Sequence, residues 1–480
     1  MLRARRRVLL AASALALGAL AARALAFAPT ELYSDEAYYW LWSLRPAPGY
    51  FDHPPLVAWL IAASSPLLPG ELGVRLPFLV AGAATVVFAA LLAGELSEDR
   101  RAPLLAALLA ATQPMMSLLG GLALPDAPAA AAYTAALWLF ARARRWRWLA
   151  AGAAVGLALL AKYTAALLAP ALLLLVLWDR ELRRDLRQAW PWLAALLAVA
   201  IFAPCLAWNA RHDFVSIAFQ LGHGFGAGAT PRSVLEFALG QLAGAGPVPL
   251  VLGGLALLRA RTSAARRVAV AVLLPLAVCA AAALRGRVEA NWPALVYPAL
   301  AAAAGAALAP ARPLARGALV GGSVALGVAL LALFGAEQAH PQLLAGTPAV
   351  ERFHGWRALA DEARRLAAGP CAALGCPEGQ PFLFTTNYQY AAELAFYGGF
   401  RRLGPAVERR SQLDLWDDRP APGEPFLYVG LDGVSPAFRA AFGGAGEQPT
   451  QRASIALAGV HLRDLTVTPF ARFGGEALER

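Results

Sequence analysis

The chain has 480 residues, of which 59% are apolar and 15% charged, a balance outside every soluble globular class that assigns most of the polypeptide to a bilayer. Its formal charge of +11 invites a nucleic-acid reading. The arginines, however, fall in short clusters between apolar stretches and build no continuous basic face, which argues against nucleic acid as a partner.

A spanning helix needs about 20 mostly apolar residues, and such stretches recur to about residue 335. Basic clusters at 3–7, 100–101, 142–147, 180–187, 259–267 and 312–316 mark cytoplasmic loops, because arginine in short loops is retained inside. Spans are then predicted at 7–28, 72–95, 102–119, 127–141, 148–162, 164–178, 189–206, 234–258, 268–284, 292–309 and 317–335, about eleven in all. This places the N-terminus in the cytoplasm and everything after 335 outside. Ala-rich sequence near Ala22 would suit signal cleavage, but the apolar run through Phe27 is long for a signal, so an uncleaved first span is expected. The segment 56–68 is short and bounded by proline, which fits an interfacial or re-entrant helix.

The expected plan is a polytopic α-helical membrane domain over 1–335, with a chemically capable external loop at about 29–70, and a small external α/β domain over 336–480. In the latter, a polar helix is predicted near 356–366 and strands at 381–385, 426–429 and 460–468. Cys371 and Cys376 lie there, where an oxidising compartment would allow a local disulfide, whereas Cys205 and Cys279 in apolar spans read as packing residues. The cysteines have no zinc-ligand spacing, and no tandem repeat stands out.

The first external loop carries Asp35 and Glu36 ahead of Tyr38, Tyr39, Trp40 and Trp42. A carboxylate there can take a proton from a hydroxyl or hold a divalent cation, Mg2+ or Mn2+; the bland alternative is a solvated loop with an interfacial aromatic belt. Asp52 and His53 precede a double proline that fixes the chain at a turn. Asp126, between Pro125 and Pro128, either caps a helix or faces the same cavity as Asp35.

Lys162 is the single lysine in an arginine-rich chain. In a membrane segment an ammonium must snorkel or find an anionic partner, and preference for lysine over arginine suits a compact charge on one phosphate. Arg285 and Arg287, next to Glu289 and Asn291, sit in a loop that violates the positive-inside bias. They point to a bound anion, with Arg75 as a further candidate, or else to an internal ion pair with Glu289 or Asp126.

Together these motifs resemble the bacterial family 39 glycosyltransferases, of the protein O-mannosyltransferase and aminoarabinose-transferase kind, which have the GT-C fold. The likeness rests on Asp35-Glu36, the 50–55 turn with Trp59, the run 73–77, Pro125 to Pro128, the run 161–164 and Asn291-Trp292-Pro293. It implies an inverting transfer of a sugar from a polyprenyl-phosphate donor to a hydroxyl of an envelope acceptor (lipid A, glycan, glycolipid or protein) at the external face of a bacterial inner membrane. It also implies Asp35 as general base with Glu36 and Asp126 in support. His53, Lys162, Arg75, Arg285, Arg287 and Asn291 would then bind substrate and its phosphate, and Asp35 and Asp126 are where a divalent cation would be held. Related lipid A-modifying enzymes have a lysine before the double proline; His53 stands there in this chain and needs a carboxylate such as Asp52 to favour its charged form. The competing class is a transporter or flippase of a lipid-linked or anionic solute, which calls for charges near the midplane and broken helices in two matching halves.

Overall fold

A computed structural model describes residues 2–224, 228–377 and 380–475. Two compact units emerge: the first comprises residues 1–27, 47–68 and 75–334, the second 28–46, 69–74 and 335–480. The segment expected as one loop over 29–70 is thus divided, with 47–68 belonging to the first unit and its two flanks to the second.

The first unit is helical. Helices long and apolar enough to cross a membrane run over Val8–Phe27, Gly70–Leu96, Ala189–Arg211, Ser263–Ala283 and Pro313–Ala339. The other predicted spans hold shorter or broken helices, and local sequence explains the breaks. The span expected at 234–258 bends by 94° between Pro231–Ala245 and Pro249–Leu258, where Gly246 adopts φ +82° and Pro249 opens the next helix. The span at 102–119 parts at Gln113, between Ala102–Thr112 and Pro114–Leu119. Lys162 is extended, with φ −151° and ψ 131°, and separates Trp146–Ala161 from the 3-10 turn Tyr163–Leu167. Leu56–Ser64 forms the short helix foreseen after the double proline.

Small residues let these helices approach closely. A Cβ added at Gly152 would run into the carbonyl of Ala194, and one at Gly156 would lie 2.8 Å from Ile201 Cβ. Helix Trp146–Ala161 therefore lies directly against Ala189–Arg211, the close contact that small residues permit in membranes. Arg23, 1% exposed, occupies a slot beside Gly82 and Gly120 and donates to the Ala111 carbonyl at 3.2 Å.

The second unit is α/β. Its sheet has the order β1-β2-β4-β3, with β1 Phe382–Thr385, β2 Phe426–Gly430, β3 Gln451–Leu457 and β4 Val460–Phe470. β1 and β2 are parallel and the remaining pairs antiparallel. Ala458 and Gly459, with φ +51° and +80°, close the β3–β4 hairpin in the conformation that its twist favours. The core is aromatic: Phe384, Phe426, Phe438, Phe442 and Phe470 are all buried, and Phe426 stacks on Phe470 at 4.9 Å.

Two expectations need correction. The segment after Tyr33 is a helix, Ser34–Ser43, and its aromatics make no solvated belt: Tyr38, Tyr39, Trp40 and Trp42 are buried. Trp40 meets Phe396 edge-on at 4.8 Å, and Tyr38 lies 4.3 Å from Tyr388. The polar helix predicted at 356–366 runs on as Trp356–Leu374. At its end Cys371 and Cys376 carry free thiols, and burial pushes that of Cys371 up to about 12.

Replacing Gly152 by leucine should lower the stability of the purified protein by about 1–3 kcal/mol through overpacking, read as a drop in Tm in detergent. Gly317→Leu, at a position with open space around it, should leave Tm nearly unchanged.

Candidate active site

In the first unit, Lys162, Asp126 and Asn291 come together from three distant segments. The break at residue 162 turns the lysine out of its helix, and Nζ donates to Asp126 Oδ1 at 2.6 Å, with both side chains buried. Asn291 Nδ2 lies 3.3 Å from the same oxygen. Helix Asp126–Ala141 has Pro125 in its cap position and Asp126 as its first residue, so Asp126 is not the cap. Its charge goes to Lys162, which therefore has an anionic partner and need not snorkel.

The loop carrying Asn291 is held from behind. Gln113 Nε2 donates to the Ala245 and Tyr297 carbonyls, the Tyr297 hydroxyl donates to Gln241 Oε1 at 2.5 Å, and Gln241 Nε2 donates to the Ala290 carbonyl. Arg285 and Arg287 are exposed in this loop, and Arg287 lies 3.4 Å from Glu289, the internal pair that was the alternative to anion binding. Arg75 is buried and donates to the Phe27 carbonyl at 3.1 Å.

Asp52 is buried and His53 half-buried. Their turn is tied to helix Val215–Gly224: Ser216 Oγ donates to the Tyr50 carbonyl, and Gln220 Nε2 donates to the Asp52 carbonyl at 2.6 Å. Trp208 packs over Gly49 and stacks on His212 at 4.0 Å. No motif in the sequence singles out Ser216 or Gln220.

In the second unit, four carboxylates lie near the start of helix Ser34–Ser43, and three have structural work. Glu36 is fully buried and accepts from the Tyr33 N–H at 2.9 Å, bonding back to its own helix start. Glu31 accepts from the Trp356 and Arg357 N–H groups at 2.6 and 3.3 Å, occupying the start of helix Trp356–Leu374. Burial raises its pKa above the ordinary range, against the opposing pull of those backbone donors. Glu71 accepts from the Tyr397 hydroxyl at 2.9 Å and pairs with Arg357. The fourth, Asp35, is half-buried, and its Oδ1 accepts from the side-chain amide of Gln389 at 2.8 Å. Asn387 caps the helix that carries Gln389, Tyr388–Gly398; that cap is legible in sequence, the pairing with Asp35 is not.

Among the described residues, no group of three or more His, Cys, Asp or Glu side chains gathers as metal ligands would. Asp126 already faces an ammonium and Asp35 an amide donor, so neither presents the cluster of oxygens that a divalent cation requires. This donor set does not fit the Mg2+ or Mn2+ site considered for Asp35 and Asp126.

Residues 52–208 match the family described as dolichyl-phosphate-mannose-protein mannosyltransferase. The chain is 29% identical over 239 residues to the lipid A galacturonosyltransferase RgtD of Rhizobium johnstonii, an alignment covering 47% of this chain and 48% of the relative. It thus spans about half the length of that curated relative. In fold it is similar to ArnT from Cupriavidus metallidurans, in the apo state and bound to undecaprenyl phosphate. Both comparisons have a TM-score of 0.65 at 18% identity, covering 95% of this chain and 97% of the other. The fold is therefore that of the GT-C membrane proteins, in a multi-pass chain. Within that fold, part of the chain is similar to a mannosyltransferase family and to a lipid A galacturonosyltransferase.

Removing one partner of the buried pair should cost far more than removing both. Asp126→Leu alone should destabilise by about 3–5 kcal/mol, and Asp126→Leu with Lys162→Met by much less, measured by thermal unfolding in detergent. Equal losses would show that the pair is not coupled.

Proposed function

We propose that the chain is an inverting glycosyltransferase that moves a sugar from a polyprenyl-phosphate donor to a hydroxyl of an envelope acceptor. The membrane would be the bacterial inner membrane, with the N-terminus cytoplasmic and the chemistry at the external face. The acceptor O–H attacks the anomeric carbon while Asp35 takes its proton. The bond from that carbon to the phosphate oxygen breaks, and polyprenyl phosphate leaves with the electron pair. A carboxylate positioned as base contributes about 10²–10⁴-fold.

The observation that carries this reading is the division of labour among the four carboxylates. Glu31, Glu36 and Glu71 are spent on helix starts and an ion pair, whereas Asp35 takes a side-chain amide that orients it. Glu36 then supports Asp35 by fixing the first turn of the helix on which both sit. Lys162 is proposed to supply the charge that steadies the leaving phosphate, with Asp126 and Asn291 holding the ammonium in place. His53, Arg75, Arg285 and Arg287 are proposed as further contacts to the donor. The undecaprenyl phosphate in the ArnT structure supports the donor class, and the name of RgtD supports lipid A as the acceptor.

Purified protein given a polyprenyl-phosphate sugar and an acceptor lipid should transfer the sugar. Asp35→Asn should reduce turnover at least a hundredfold with Tm unchanged. Full turnover by that variant would remove Asp35 as base. A transporter or flippase would leave the donor intact in both cases.

A further inference from the structure

Beside Asp35 the second unit contains a half-open cavity of about 410 Å3, inside the range of about 300–1,000 Å3 typical of small-molecule sites. One wall is made by Tyr33, Ser34, Gln389 and Tyr390. Ser34 immediately precedes Asp35, and Gln389 is the residue whose amide holds the Asp35 carboxylate. The cavity therefore adjoins the proposed base through two of its own wall residues.

Its lining suits a sugar. Tyr33 and Tyr390 are half-exposed rings, able to cover the C–H face of a pyranose while their hydroxyls stay polar. Deeper in lies Arg463, only 8% exposed, with its guanidinium carbon 3.7 Å above the Trp356 ring. Arg463 Nη2 donates to the Glu351 and His354 carbonyls, but Nη1 meets no acceptor among the described residues. Nη1 is closed off from solvent, so Arg463 acts on the cavity through its positive charge, held in place by the Trp356 ring and the two carbonyls. The rim adds the carboxylates of Glu351, Asp432 and Asp464 against a second guanidinium, Arg352. Three acids against two arginines disfavour a phosphate and favour a neutral or amino-bearing sugar, whose hydroxyls donate to carboxylates.

We infer that this cavity binds a neutral or amino sugar of the acceptor and presents one of its hydroxyls to Asp35. The inference rests on the reading of Asp35 as base. It adds a saccharide subsite formed by the Tyr33–Tyr390 wall, Arg463 and Asp432, so specificity for the acceptor is set in the second unit.

The test uses the full-length protein in nanodiscs and a panel of glucosamine, N-acetylglucosamine, galactose and inorganic phosphate, followed by saturation-transfer NMR. At least one sugar should show saturation transfer and phosphate should not compete with it. Asp432→Asn and Tyr390→Ala should each weaken that binding at least fivefold, and Asp432→Asn should raise the acceptor KM about tenfold. Failure of every sugar to bind, phosphate outcompeting them, or an unchanged KM in Asp432→Asn would overturn the subsite. Loss of the Asp35 role has a separate signature: full turnover in Asp35→Asn with sugar binding intact.

Discussion

A charge placed among apolar helices has to be answered inside the protein, and the first unit is organised by how it answers each one. Lys162 takes Asp126 at 2.6 Å, Arg267 takes Asp179 at 2.6 Å and Arg147 takes Glu95 at 3.0 Å. Arg23 and Arg75, with helix interiors around them, turn to backbone carbonyls. Pairs of this kind add little net stability over an apolar replacement, but breaking one leaves a stranded charge, so they fix position strongly. The Lys162–Asp126 contact joins the break after Trp146–Ala161 to the start of Asp126–Ala141, and Asn291 brings a third segment to the same oxygen. The polar cluster thus depends on where the apolar helices stop.

The second unit solves a different problem, that of keeping several acids close without making them equivalent. Two of the glutamates accept backbone N–H groups at helix starts, where the helix dipole also favours negative charge. A third is held by a tyrosine and an arginine. Packing supports these assignments: the aromatics of Ser34–Ser43 lie against Tyr388–Gly398, so the helix bearing Asp35 and the helix bearing Gln389 share one apolar seam. Orientation of the carboxylate follows from the burial of its neighbours.

Much of this was legible in sequence because it rests on local signals. Apolar runs and arginine clusters locate the helices, and Lys162 stands out as the single lysine. Three of four strands are marked by β-branched and aromatic runs, whereas β3 is an edge strand of mixed polar and small residues and has no such mark. Helix breaks at Gln113 and Gly246 follow from the prolines after them, although window hydropathy smooths over both. Illegible were the pairings between distant segments: Gln389 with Asp35, Gln220 with the Asp52 carbonyl, Glu31 with Trp356. A side-chain amide has no periodicity and no charge, so nothing local announces its partner. The aromatic cluster at 38–42 misleads for a related reason, since rings suited to an interface are equally suited to a core.

The bond between Asp35 and Gln389 spans 354 residues of chain. At synthesis rates of about 5–20 residues per second, roughly 18–70 s separate the emergence of the carboxylate from that of the amide that orients it. Through that interval Ser34–Ser43 has neither Gln389 nor the 388–398 helix to hold it. A nascent chain would therefore carry the Asp35 carboxylate without the amide that orients it. Completion of the C-terminal segment is the event that fixes the direction of this carboxylate.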